Sequence, residues 1–310
     1  MKISKNPLID VLNDLAEKDS KVVVLDADTS TSSKTNKFAK HYPNRFINMG
    51  ISEQNMIGVA SGLSLAGMTP FAVSIAAFLT RKTIDQIALS VCYPSLNVKL
   101  IGMSSAFSSA RDGATHQSLD DIALMRTMPN MRIFTPSSAN EVRQTVYQAY
   151  EDPGPCYIRL QRNHTSDSEQ LCEFKDYALL REGSDLTIIA AGAIRQTAIE
   201  AAEALSNEAN IRVIGLLQLK PINEKVIIQA AQDTGLIVTL EEHSIIGGLG
   251  SAVSEVVTEH CPVFVERIGI KDCFGQSALE REHLLEYYDL SLDYVVSRIR
   301  EALKKRRQDD

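Results

Sequence analysis

A chain of 310 residues, 44% hydrophobic and 23% charged, has apolar material for two ordinary cores and charge enough to keep them in water. Its net charge of −7 argues against nucleic acid or an anionic membrane as the main partner, because both need a basic face. Cys92, Cys156, Cys172, Cys261 and Cys273 are odd in number and unpaired in spacing, which sets aside a disulfide framework or a zinc site and points to a reducing cytoplasm.

The N-terminal stretch does not have the form of a signal peptide: Leu8, Ile9, Leu12, Leu15 and Ala16 recur at helical spacing with acids between them. Strands are then expected at Val22–Asp28, Arg45–Gly50, Pro70–Ile75, Val98–Ser104, Arg132–Pro136 and Cys156–Gln161, with helices at Ser52–Ala66, Phe78–Val91 and Asn140–Glu151. Such alternation needs crossover connections, hence an α/β domain with a mainly parallel sheet and helices on both faces. Residues 163–185 are polar and aperiodic and read as a linker. A second series follows, with strands at Leu186–Ala191, Arg212–Leu217, Leu236–Leu240 and Val263–Ile268. Helices are expected at Ile194–Ser206, Glu224–Asp233, Gly250–His260 and Leu292–Lys305. The organisation is therefore two consecutive α/β domains, 1–162 and 186–310. The basic cluster Lys304–Arg307 reads as a solvated helix end.

Two segments carry candidate chemistry. Gly50-Ile51-Ser52-Glu53-Gln54-Asn55 joins a strand to a helix, with Ser52 as N-cap and Glu53 in the first turn at the C-terminal edge of the sheet, where open α/β sheets bind ligands. By itself a first-turn glutamate is more often a surface charge that complements the helix dipole. Ser104 to Gln117 is too long and too polar for a simple connector, and it ends in Asp112, Gly113 and His116. Asp112 can accept from a substrate hydroxyl and His116 can donate to an oxyanion or move a proton. A plain turn with a helix-entry histidine explains the same residues equally well.

In order and spacing, Gly50 to Leu63, Ala77-Phe78-Leu79-Thr80-Arg81, Asp112-Gly113-Ala114-Thr115-His116-Gln117 and Thr135-Pro136-Ser137 resemble the pyrimidine-binding domain of transketolases and deoxyxylulose-phosphate synthases. Ala190-Ala191-Gly192, Lys220-Pro221, Glu241-Glu242-His243 and Gly247 to Ala252 are similar to the C-terminal domain of the same family. The resemblance implies that Glu53 bonds the pyrimidine ring nitrogen of thiamine diphosphate. A carboxyl there favours the imino tautomer, whose exocyclic nitrogen takes the proton from the thiazolium carbon. It implies that Phe78 lines the pyrimidine pocket, with Asp28 and Arg81 near the cofactor. Ser32, Asp112 and His116 are implied on the sugar side, His116 also as a catalytic group. A phosphate-binding arginine is implied at either Arg159 or Arg162.

The chain departs from the family in carrying Ser104 and Ser105 where a basic residue usually stands, with Arg111 as a substitute charge, and Arg81 where some members have an aromatic. It has no Gly-Asp-Gly, the family's motif for holding diphosphate through Mg²⁺. Gly247–Ala252 lacks the last glycine of a dinucleotide fingerprint and is expected to be structural. The resemblance thus implies the C-terminal subunit of a split transketolase, transferring a two-carbon ketol unit between sugar phosphates. A separate N-terminal subunit would hold Mg²⁺ in a two-plus-two assembly. Alternatives are the β subunit of a 2-oxo acid dehydrogenase's first component and a non-catalytic subunit of the same fold.

Overall fold

The computed structural model describes residues 6–162 and 175–309. Residues 163–174 of the expected linker, Cys172 among them, lie outside these. The chain divides into two compact units, one of residues 1–105 and 124–174, the other of residues 106–123 and 175–310.

In the first unit β1 (Val22–Asp26), β2 (Phe46–Asn48), β3 (Thr69–Ile75), β4 (Lys99–Met103), β5 (Arg132–Phe134) and β6 (Cys156–Arg159) run in the order β5-β6-β4-β3-β1-β2, every pair parallel. Every residue of β1 is buried, as a strand covered on both faces must be. Val22 and Val24 join Leu8, Leu12, Val142 and Val146 in one apolar layer, which packs the helices Pro7–Lys18 and Ala139–Glu151 together. Helix Glu53–Leu65 packs against β1 and β3 and buries Met56, Ile57 and Ala60.

The expected helix Phe78–Val91 is broken. It is a helix over Ala76–Arg81, a single turn at Ile84–Gln86 and a π-helical turn at Ile87–Cys92. Two threonines bond back into the helix at the break: Thr80 Oγ1 donates to the Ala76 carbonyl at 2.8 Å and Thr83 Oγ1 to the Leu79 carbonyl at 2.5 Å. Threonines bonding back one turn in this way loosen and bend a helix. The Lys82 carbonyl at the break accepts instead from Gln54 Nε2 at 2.8 Å, which ties the break to the start of helix Glu53–Leu65.

The second unit holds a five-stranded sheet in the order β12-β11-β8-β9-β7, built of β7 (Tyr177–Arg181), β8 (Leu186–Ala191), β9 (Ile211–Leu216), β11 (Leu236–Ser244) and β12 (Phe264–Ile270). The pairs are parallel except β7 with β9. A further short strand, β10 (Gln218–Lys220), stands outside this sheet. Strand β7 falls within the segment read as linker. It is an edge strand with no fully buried residue, so it lacks the alternation that marks a half-buried strand.

Strand β11 runs on to Ser244 and carries Glu241, Glu242 and His243 into the interior. Glu241 accepts from the backbone N–H of Leu249 at 2.7 Å and of Gly250 at 2.8 Å. An internal carboxylate thus fills the N-terminus of helix Leu249–His260, and a Cβ at Gly248 would lie 2.1 Å from Glu241 Oε2. The glycines serve close packing rather than phosphate binding. At the C-terminus Arg306 is not simply solvated, since its guanidinium donates to the carbonyls of Asp185 and Thr234.

Candidate active site

Because the strands of the first unit are parallel, the segments that leave their C-terminal ends share one edge. Asp28 and Ser32 follow β1, Glu53 follows β2, Phe78 and Arg81 follow β3, Ser104 follows β4, and Arg162 follows β6. From β6 to β2 there are four inter-strand steps, so this edge is about 19 Å long at roughly 4.8 Å per step.

Glu53 is 5% exposed in the first turn of its helix. Ser52 holds the N-cap position without a side-chain bond, so its hydroxyl answers none of the first-turn N–H groups beside Glu53. Lys82 Nζ stands 3.4 Å from each of the Glu53 carboxylate oxygens and 4.3 Å from the centre of the Phe78 ring. One ammonium therefore engages both groups expected to meet the pyrimidine. Lys82 is absent from the sequence reading. The threonines on either side of it, at the helix break, are the only sign of its position. Arg81, next to it, is half-buried.

Asp28 is exposed with positive φ (63°), and its backbone N–H donates to Asn48 Oδ1 at 3.2 Å. Ser32 is exposed and donates to the Thr29 carbonyl at 2.8 Å. The buried acid of this loop is Asp26. It accepts from Thr29 N at 2.6 Å, Thr29 Oγ1 at 3.0 Å, Ser33 Oγ at 2.9 Å and Thr35 Oγ1 at 2.7 Å, and so fixes the turn that carries Asp28 and Ser32. Its signal in the sequence is the hydroxyl run Thr29 to Thr35.

The two arginines differ. Arg159 lies inside the sheet opposite Gly102 and is 4% exposed. Arg162 is exposed beyond the strand, and its Nε donates to Ser104 Oγ at 2.9 Å. Ser104, in the place of a usual basic residue, thus orients a basic residue.

Asp112 and His116 belong to the second unit. Asp112 is exposed, and half-buried His116 has Nδ1 2.9 Å from Thr115 Oγ1. Arg111 is not a spare charge: it donates to the Leu279 carbonyl at 2.9 Å and pairs with Glu280 at 2.6 Å.

A partly shielded carboxylate beside an aromatic ring fits an aminopyrimidine, which needs a hydrogen-bonding acid and a stacking face. Among the described residues no group of three or more His, Cys, Asp or Glu is placed to hold a metal ion, and no helix is long and apolar enough to cross a membrane.

Comparison with known proteins agrees with this reading. Residues 6–167 match the family described as "Transketolase, pyrimidine binding domain" and residues 176–295 match "Transketolase, C-terminal domain". The chain is 37% identical, over 97% of its length and 95% of the relative's, to the 6-deoxy-6-sulfo-D-fructose transketolase subunit SqwH of Clostridium sp. (strain MSTE9). It is 39% identical, over 96% of its length and 95% of the relative's, to a putative transketolase C-terminal section of Methanocaldococcus jannaschii. A solved structure described as a split gene transketolase, inactive beta4 tetramer, is 41% identical, covers 97% of this chain and 98% of its own, and superposes with a TM-score of 0.88. The chain belongs to the transketolase family, as a C-terminal section made of that family's pyrimidine-binding and C-terminal domains.

Proposed function

We propose that this chain is the C-terminal subunit of a cytoplasmic split transketolase and supplies the pyrimidine-side half of a thiamine diphosphate site. The observation that carries it is the buried Glu53 carboxylate sharing one cation with the Phe78 ring. Membership of the family implies the cofactor. The carboxylate and ring at the sheet edge suit its pyrimidine end, and the sequence carries no Gly-Asp-Gly for the diphosphate end. We therefore assign Mg²⁺ and the diphosphate to a separate N-terminal subunit in a heterotetramer. That the tetramer described as containing only β chains is also described as inactive agrees with this assignment. By sequence we assign 1–162 to the pyrimidine-binding domain, 163–185 to a linker and 186–310 to the C-terminal domain, with the loop 106–123 packing in the second compact unit.

When bound, thiamine diphosphate supplies a nucleophilic carbon and an electron sink for a two-carbon unit. Glu53 holds the proton at the pyrimidine ring nitrogen, and low water access makes that hydrogen bond strong. Phe78 gives the ring its stacking face, with Asp28 and Arg81 bordering it. On the sugar side Asp112 accepts from a hydroxyl, His116 carries a proton to or from the carbonyl oxygen, and Ser32 assists at the phosphate. Of the two arginines, Arg162 is assigned to the phosphate, because it is exposed and held by Ser104 while Arg159 is enclosed in the sheet. The reaction is ketol transfer from a ketose phosphate to an aldose phosphate, a step of carbohydrate metabolism.

Two substitutions test this. Glu53→Gln in the complex with the N-terminal subunit should slow hydrogen–deuterium exchange at the thiazolium carbon about 10²- to 10⁴-fold, as loss of an acid–base group does. An unchanged exchange rate removes Glu53 from its role. Arg162→Ala should raise the Michaelis constant of a phosphorylated acceptor by about 10² and leave its dephospho analogue nearly unaffected. Equal losses on both acceptors would make the arginine structural.

A further inference from the structure

We infer that the C-terminal unit positions the sugar-contacting loop, with Gly275, Gln117 and Tyr288 as the positioning residues. The inference rests on the reading of Asp112 and His116 given above.

Residues 106–123 are built into the second unit, not the first. Their side chains sort into two sets. Phe107, Ala110, Gln117 and Leu119 are buried, the three apolar ones in the core of that unit, whereas Asp112 is exposed and His116 half-buried. The loop is closed on itself by an antiparallel bridge between Ala106 and Ser118. Local bonds from Asp112 N to the Ser109 carbonyl at 3.1 Å and from His116 N to the Gly113 carbonyl at 3.0 Å shape its tip.

What fastens this shape comes mainly from residues 274–288. The Ala278 N–H donates to the Ala110 carbonyl at 2.9 Å, and Gln117 Nε2 donates to the Gln276 carbonyl at 2.8 Å. Phe107 stacks on Tyr288 with ring centres 5.1 Å apart and planes at 19°, and the Tyr288 hydroxyl donates to the Phe274 carbonyl at 2.8 Å. At the other end of the loop the Ser244 N–H donates to the Leu119 carbonyl at 2.8 Å. The fastening segment is itself held to β11, because Arg281 meets Glu242 through two bonds of 2.8 and 2.9 Å.

The tightest approach is at Gly275, where a Cβ would lie 1.9 Å from Gln117 Oε1. Any larger residue there pushes Gln117, which is fully buried, off its carbonyl. The Arg111–Glu280 pair, exposed on both sides, adds little. The holding is done by the buried contacts, and it matters because hydrogen-bonding groups misplaced by about 1 Å lose on the order of 10² in rate.

The experiment uses the chain combined with its N-terminal subunit. Gly275→Ala should speed deuterium exchange at the Ala278 amide and lower kcat/KM for the ketose donor about 10- to 100-fold. Thiamine diphosphate affinity, measured by calorimetry, should stay within about twofold, since the loop is assigned to sugar alone. Tyr288→Leu should act in the same direction, while Tyr288→Phe, which keeps the stack, should restore sugar turnover. If Gly275→Ala fails to fold, Gln117→Leu removes the same anchor at nearly constant volume. A loop that exchanges faster while sugar constants stay put overturns the inference, as does equal loss of sugar and cofactor binding. Asp112→Ala and His116→Ala serve as controls. If neither changes the sugar constants, the reading of the loop fails, whatever the anchors do.

Discussion

Glu53 sits where the sequence places it, in the first turn after β2, but its partner was not legible. Lys82 reaches it from the break in the helix after Phe78, where two threonine side chains bond back into their own helix. Helical periodicity alone continues straight through the position. The consequence can be measured. On the proposed roles of Glu53 and Phe78, Lys82 leaves both when a pyrimidine takes those contacts, so Lys82→Met should tighten thiamine diphosphate binding by the complex about fivefold, from roughly 1 kcal/mol for a half-exposed cation contact. Binding that is unchanged or weaker in calorimetry would show that the lysine does not compete. Asp26 gives the opposite kind of test. Its carboxylate gathers four donors in the interior, so Asp26→Ala strands them and should cost about 3 kcal/mol in denaturant unfolding.

Among the elements, the parallel strands of both sheets were readable because each is a short, β-branched run between helical stretches, and β8 is found with the expected bounds. Strand β7 was not, since an edge strand buried on neither side carries no hydrophobic alternation. The first helix shows how polar side chains fix an element that apolar spacing only suggests. The Tyr147 hydroxyl donates to Asp14, and Tyr150 donates to Asp19 Oδ2 at 2.9 Å, joining helices Pro7–Lys18 and Ala139–Glu151 at their rims. Hydrogen bonds from Lys18 and Tyr147 hold the Asp14 carboxyl below its usual 3.8, while burial and the same bond to Asp14 push the Tyr147 phenol up to about 12. A carboxyl lowered in the folded state contributes stability that is complete above its unfolded value and is lost as pH falls through the folded one. Tyr147→Phe should therefore lower Tm at neutral pH, and its deficit should shrink progressively as pH falls from about 4 through the lowered folded value of Asp14, once the carboxyl is protonated in both proteins. A deficit independent of pH across that window would show that the pair contributes by packing alone.

At the level of the whole molecule, alternation of strands and helices announced two α/β halves. Membership of the loop 106–123 in the second unit was hidden, because its fasteners are remote in sequence: Gln117 and Gln276 are 159 positions apart. No local pattern reports such a pairing. The absence of Gly-Asp-Gly, by contrast, is read straight from the residues and shapes the central claim, that this chain carries one half of an active site. That claim is tested most directly by assaying two-carbon transfer from a ketose phosphate, with thiamine diphosphate and Mg²⁺, for this chain alone, for a Gly-Asp-Gly-bearing N-terminal subunit alone, and for the two mixed. Activity should arise only in the mixture and should fall when the mixture contains Glu53→Gln. Turnover by this chain alone, free of any partner, would contradict it.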